Sequence, residues 1–228
     1  MNIFHSSRRL QLLLAAFAFL AAGCATTSSP SRYFMLNALA QKTEPARSSP
    51  AGDKASLSFQ PVSWPGRPKE ELIVVAVGPL TIPDSINRPE IVTSDASRQI
   101  SIHDMERWAG PLDKKVLRVL TDDLDAQLGP EKFTVVVWNP STQVNIEARY
   151  RVMVEVTRFE LSKEPGGAAR FEADWVLYGP QNKVLAMRQS RRQATVTGTN
   201  LKALVAAMSQ CILEFSGEVA QTISGASV

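Results

Sequence analysis

Between Tyr150 and Val196 the chain repeats one rhythm three times, and that rhythm limits the folds open to it. Apolar residues fall at every second position at Tyr150, Val152, Val154 and Val156, and again at Phe171, Ala173, Trp175 and Leu177. A third such segment runs from Val184 through Met187 to Val196. Successive strand side chains point to opposite faces, so each segment presents one apolar face. Gly166-Gly167 and Gly179-Pro180 with Asn182 supply the turns, which makes the whole an antiparallel meander. A sheet with one apolar face must bury it against another layer. The cover follows at once. Leu201, Leu204, Val205, Met208, Ile212, Phe215, Val219 and Ile223 recur at helical spacing, with Thr199 or Asn200 as the cap.

A second amphipathic helix is written from Pro111 to Leu128, with Leu112, Val116, Leu117, Val119, Leu120, Leu124 and Leu128 apolar. Pro111 suits its first turn and Gly129-Pro130 stops it. "RYFML" (Arg32 to Leu36), "LIVVAVGPL" (from Leu72), "RQISIH" (Arg98 to His103) and "FTVVVW" (Phe133 to Trp138) read as further strands. The second of these is a continuous β-branched run, expected to be buried on both faces. The expected fold is therefore α+β, a single domain in which a mixed, largely antiparallel sheet is covered by two main amphipathic helices. Residues 32–39 supply its first strand and residues 71–225 its body. Between them, residues 40–70 hold Pro45, Pro50, Pro61, Pro65 and Pro68 with Gly52 and Gly66, and read as a flexible insertion.

The N-terminus follows a different logic. Arg8 and Arg9 precede the apolar run "LQLLLAAFAFLAA", Leu10 to Ala22, which ends in Gly23-Cys24. A basic start, a short apolar middle and small residues make a secretory signal. The run is too short for the roughly 20 residues a membrane-crossing helix needs. With Ala21-Ala22-Gly23-Cys24 as a lipobox, residues 1–23 look like a bacterial lipoprotein signal. That resemblance implies cleavage before Cys24, with lipid on its sulfur and its new amino group. The second mature residue is Ala25 rather than Asp, so the sorting rule of such lipoproteins points to the outer membrane. Residues 24–31 then form a tether. Removing residues 1–23 takes two arginines and lowers the formal charge from +3 to +1, so nothing in the charge calls for nucleic acid.

Chemistry-bearing residues are sparse. After residue 23 the chain has one histidine, His103, and one cysteine besides Cys24, namely Cys211. A multi-histidine or cysteine-pair metal site is thereby excluded, and no cofactor motif is present. Cys211 falls among Met208, Ile212 and Phe215, which predicts a buried, unreactive thiol. His103 with Asp104 and Glu106 reads as a solvated turn or helix start at a strand's end. Asp122, Asp123 and Asp125 read as the solvent face of the first helix, and Arg188, Arg191 and Arg192 as a solvated strand face. A hydrolase would use Ser101 or Ser85 with His103; alternation puts Ser101 and His103 on one face, but no orienting acid is identifiable and no G-x-S-x-G elbow exists.

The segment Val77 to Leu124 is harder to treat as a connector, because Pro79, Pro83 and Pro89 fix a rigid extended path and Trp108 stands at the helix entrance. It resembles the PqiC/YmbA-type family of auxiliary lipoproteins of ABC-type transport systems. The resemblance is carried by Val77-Gly78-Pro79, Ile82-Pro83-Asp84, Asn87-Arg88-Pro89-Glu90-Ile91-Val92-Thr93 and Glu106-Arg107-Trp108-Ala109-Gly110-Pro111-Leu112. It continues through Arg118-Val119-Leu120 and Asp123-Leu124. Asn87 and Gly110 depart from the Asp and Glu common in that pattern. The resemblance implies a non-enzymatic role at the outer membrane beside an inner-membrane ABC permease and an MCE protein that carries lipid between the membranes. It implies docking of that assembly, with Cys24 as anchor and Arg88, Pro89 and Trp108 as the docking surface; an annular homo-oligomer would suit a tunnel's end. A lipid- or small-molecule-binding lipoprotein acting on its own is the alternative, and would need an apolar cavity beneath the sheet.

Overall fold

The computed structural model describes residues 30–40, 72–95, 97, 99–138, 147–163, 167–196 and 200–227. The signal with Cys24, the 40–70 insertion beyond Ala40, the Gly166 turn position and the Thr199 cap lie outside the described residues. From Arg32 onward the chain forms one unit.

The strands are β1 (Arg32–Phe34), β2 (Ile73–Thr81), β3 (Glu90–Ser94), β4 (Ile100–Trp108), β5 (Phe133–Val137), β6 (Tyr150–Leu161), β7 (Ala168–Tyr178) and β8 (Val184–Thr195). The helices are α1 (Leu112–Leu128) and α2 (Leu201–Ala226). This is the expected α+β domain with mixed pairing, and its strands divide between two sheets. A five-stranded sheet has the order β5-β2-β6-β7-β8, and a three-stranded sheet the order β1-β4-β3. The meander β6-β7-β8 is antiparallel throughout, while β2 runs parallel to both β5 and β6. Gly78 adopts φ 126°, a conformation that favours glycine, where the register of β2 against β6 shifts between Val77 and Leu80.

The apolar face of the meander meets α2. Phe171 and Trp175 of β7 pack on Phe215, with ring centroids 5.3 and 6.2 Å apart. Met208, Cys211, Ile212, Val219 and Ile223 complete the buried stripe of α2, so the helix's apolarity is spent on the core. At its start the Asn200 side chain accepts the Ala203 amide at 2.8 Å. Helix α1 occupies the predicted span and ends at Gly129, φ 87°.

Three expectations are corrected. His103, Asp104 and Glu106 belong to strand β4, which runs on to Trp108 rather than turning after His103. Glu90–Ser94 is a strand paired antiparallel with β4, where the prolines suggested only an extended path. Asp123 is not on a solvent face: it is fully buried, and its Oδ1 accepts the amides of Leu39 and Ala40 at 2.8 Å each. Asp125 likewise accepts the Val135 amide, at 3.1 Å. These carboxylates fasten the N-terminal segment and β5 to α1.

Candidate functional site

The chain from Pro83 to Pro89 folds as a tight turn. The amides of Ile86 and Asn87 both donate to the carbonyl of Pro83 at 3.0 Å, and that of Arg88 donates to Ile86 at 2.9 Å. The turn delivers Pro89 to the end of β4, where the Trp108 amide donates to the Pro89 carbonyl at 2.8 Å. The next amide, Ala109, donates to Phe34 of β1, also at 2.8 Å. Three separated stretches are thereby sewn together around the entrance of α1.

They enclose an open recess of about 360 Å³. Asn87, Arg88 and Pro89 line one part of it, and Trp108, Gly110 and Pro111 another. Arg88, Pro89 and Trp108, singled out from the sequence, therefore meet at one place. Their parts differ. The Trp108 side chain is a support, since the residue is only 4% exposed and its ring meets Phe159 edge-on at 6.0 Å. Arg88 is more open, and its Nε donates to Glu90 Oε2 at 3.0 Å. Arg107 holds the other oxygen, Oε1, at 3.1 Å. The hydrogen bond from Arg88 leads the causes that hold the Glu90 carboxyl below its ordinary range. This clasp pins the Arg88 turn to the β3–β4 pair, and no sequence motif announced it.

Of the hydrolase reading's residues, Ser101 shares the side of β4 with His103, but among the described residues no hydrogen bond joins Ser85 or Ser101 to His103. His103 Nε2 shares a hydrogen bond of 2.9 Å with Thr93 Oγ1, and its Nδ1 lies 3.6 Å from Glu106 Oε2. Glu106 in turn is paired with Arg32. Burial is the main cause that lowers the His103 pKa, with the Lys163 charge adding to it. Ser85 instead lines a different, larger recess of about 700 Å³ between β3 and the end of β6, together with Val92, Ile100 and Phe159. Among the described residues no group of three or more histidine, cysteine or acidic side chains converges as a metal site would require. Cys211 is buried, with its pKa pushed up to about 11 chiefly by desolvation, and its thiol faces the Ala169 carbonyl at 3.5 Å.

Arg192, read as solvated, is half-buried and pairs with Glu218 of α2 at 2.6 Å. The same Glu218 oxygen accepts from Ser190, whose hydroxyl accepts the Trp175 indole N–H at 2.9 Å. These contacts join β8 to α2, and only Arg188 and Arg191 of that cluster stay exposed.

No curated protein matches the chain. Among solved structures, an uncharacterized protein superposes with a TM-score of 0.61 at 18% identity, over 86% of this chain and 99% of its own. Protein XCC0632 from Xanthomonas campestris does so with a TM-score of 0.55 at 19% identity, over 72% of this chain and 92% of its own. At those identities the likeness speaks for the fold. The family model of the ABC-type transport auxiliary lipoprotein component matches residues 56–220, which take in the recess, α1, the whole meander and α2 as far as residue 220. The chain belongs to this family of ABC-type transport auxiliary lipoproteins.

Proposed function

We propose that the chain is an outer-membrane lipoprotein on the periplasmic side, anchored through Cys24. In this reading it is a non-enzymatic auxiliary of an ABC/MCE-type intermembrane lipid transport system and docks the periplasm-spanning MCE assembly at the outer membrane. Residues 1–23 are its signal, 24–31 its tether and 40–70 an insertion. Family membership supports the transport role. The observation that carries the docking role is the convergence of Arg88, Pro89 and Trp108 on one recess braced by main-chain hydrogen bonds and the Glu90 clasp. Such a site is preorganised, so a partner loop that enters it pays little ordering entropy. An annular assembly of several copies would suit the end of a lipid tunnel.

The larger recess between β3 and β6 favours a second reading, a lipoprotein that binds a lipid or small molecule on its own. The space beneath the meander is filled by Phe171, Trp175 and Phe215, so a ligand would have to use that surface recess.

The test is a crosslinked affinity pull-down of the full protein from cell envelopes, read by mass spectrometry, with Cys24→Ser beside it. The docking role expects an MCE protein and its ABC permease, both lost with Cys24→Ser. Recovery of neither, with membrane attachment intact, would set the docking role aside in favour of the second reading.

A further inference from the structure

The three-stranded sheet is apolar on both faces, and only one is covered. Its inner face gives Phe34, Ile91 and Trp108 to the core. On the other side Tyr33 is 66% exposed, Ile100 59%, Ile102 46% and Met105 42%. Pairing places Ile102 opposite the half-buried Val92, and alternation puts Ile100 on the same side of β4. Tyr33 lies opposite Arg107, which shares its side of β4 with Met105, and the register shift between Glu90 and Ile91 brings that side into line with Ile102. Met35, also exposed, follows Tyr33 by one alternation step. A contiguous apolar surface of this kind marks an interaction site.

The chain itself indicates what covers it. Arg32, the first residue of β1, stands eight residues after Cys24. At roughly 3.6 Å per residue the tether spans at most about 29 Å. A lipid on Cys24 therefore holds the first residue of this sheet within about 29 Å of the bilayer. The opposite end of the domain also exposes apolar groups, Val184, Leu185 and Met187, beside the β7–β8 turn. The small sheet joins the other end of the meander, through the Ser94–Ser162 bridge and the Lys163 amide on the Ser94 carbonyl. Strand β7, from Ala168 to Tyr178, separates the two ends by about 33 Å at ~3.3 Å per residue.

The flanking charges suit a lipid surface. Glu90, opposite Arg107 on this side, is held by both Arg88 and Arg107, so two arginines offset one acid at the edge of the patch. A tyrosine and arginines beside aliphatic side chains are the composition of a membrane-interface contact. The exposed carboxylate of Asp104 limits the depth, since it will not leave water for hydrocarbon.

We propose that the uncovered face of the β1-β4-β3 sheet, centred on Tyr33, Ile100, Ile102 and Met105, rests on the lipid bilayer at headgroup depth and orients the domain on its anchor. The proposal rests on the Cys24 anchoring advanced above. It fixes an orientation in which the β7–β8 turn points away from the membrane.

The test uses the full lipidated protein in vesicles of phosphatidylethanolamine and phosphatidylglycerol. Single cysteines at exposed positions, Ile102→Cys and Lys183→Cys, carry a fluorophore, and a nitroxide-bearing lipid quenches it. The expected result is quenching at position 102 at least about threefold stronger than at 183. Equal quenching, or stronger quenching at 183, overturns the proposal while leaving the anchor intact. Self-quenching of the 102 label that tracks protein density without the nitroxide lipid assigns the face to a second copy, and also overturns it. Protein that fails to stay on vesicles, with an unmodified N-terminus by mass, overturns the anchor and the orientation together.

Discussion

The amide of Trp108 donates to the carbonyl of Pro89 at 2.8 Å, and the indole of the same residue packs edge-on against Phe159. One residue thus fixes the Arg88 turn through its main chain and ties the three-stranded sheet to β6 through its side chain. Trp108→Ala should cost about 3–5 kcal/mol in denaturant unfolding, because it opens a large cavity at a buried site. Trp108→Phe, which keeps the aromatic contact, should cost clearly less. If the two variants unfold alike, the indole is not a packing element.

Arg88 separates docking from stability. Its guanidinium is partly open to solvent and Glu90 retains Arg107 when it is lost. Arg88→Ala should leave the unfolding midpoint nearly unchanged, yet lower recovery of the MCE partner in the envelope pull-down. A large drop in stability would show the Glu90 clasp to be structural alone.

Asp123 is the buried acid of α1. Asp123→Ala strands the amides of Leu39 and Ala40 and should cost about 2 kcal/mol. Asp123→Asn keeps an acceptor and should cost less. Burial raises this carboxyl's pKa above its ordinary 3.8, with the Asp122 charge adding to the rise. The folded state therefore binds this proton more tightly than the unfolded chain. Its contribution to stability is fully present below pH 3.8 and is lost as the pH rises through the folded value. Unfolding curves of wild type and Asp123→Asn between pH 3 and 7 should diverge in that sense, with Asn gaining relative to Asp as the pH rises.

Cys211, with its pKa pushed up to about 11, should resist maleimide at pH 8 in the native protein and react once urea unfolds it. Rapid labelling under native conditions would contradict its burial. The thiol's raised pKa also makes its contribution to stability present below 9.0 and lost as the pH climbs through about 11.

His103 should titrate below 6.5 by NMR, because burial disfavours its charged form and Lys163 opposes it further. The sign is opposite to that of Asp123: stability from this group is present above 6.5 and lost as the pH falls through the lowered value. Under the docking account His103→Ala, which removes a hydrogen bond to Thr93, should leave localisation and partner recovery intact. A folded, correctly placed but inactive His103→Ala protein would revive the hydrolase reading.

Local periodicity carried most of this fold into the sequence. The meander, both helices and the cap at Asn200 follow from spacing alone, since each is decided by neighbours within a few residues. The parallel pairing of β1 with β4 joins Arg32 to Glu106 and has no local signature. The strand Glu90–Ser94 was masked by the prolines before it, although Ile91-Val92-Thr93 is a β-branched run. Asp123 had a visible signal: it stands three residues after Leu120 and seven after Val116, on the inner stripe of α1. Its charge argued for solvent, and amides from a distant segment outweighed that argument. At the candidate site, Arg88, Pro89 and Trp108 were legible through the family pattern. Their division into one open side chain and one buried support depends on Phe159 and Glu90, which only the tertiary fold brings near.

The most direct test of the docking account is site-specific photo-crosslinking in intact envelopes. A photoreactive amino acid at Asn87, on the lip of the recess, is compared with one at Lys183 in the β7–β8 turn, each in the lipidated full chain. The account predicts an adduct with the MCE protein from position 87, much weakened when Arg88→Glu is added and absent from position 183. An adduct from 183 alone, or one from 87 indifferent to Arg88→Glu, would contradict it.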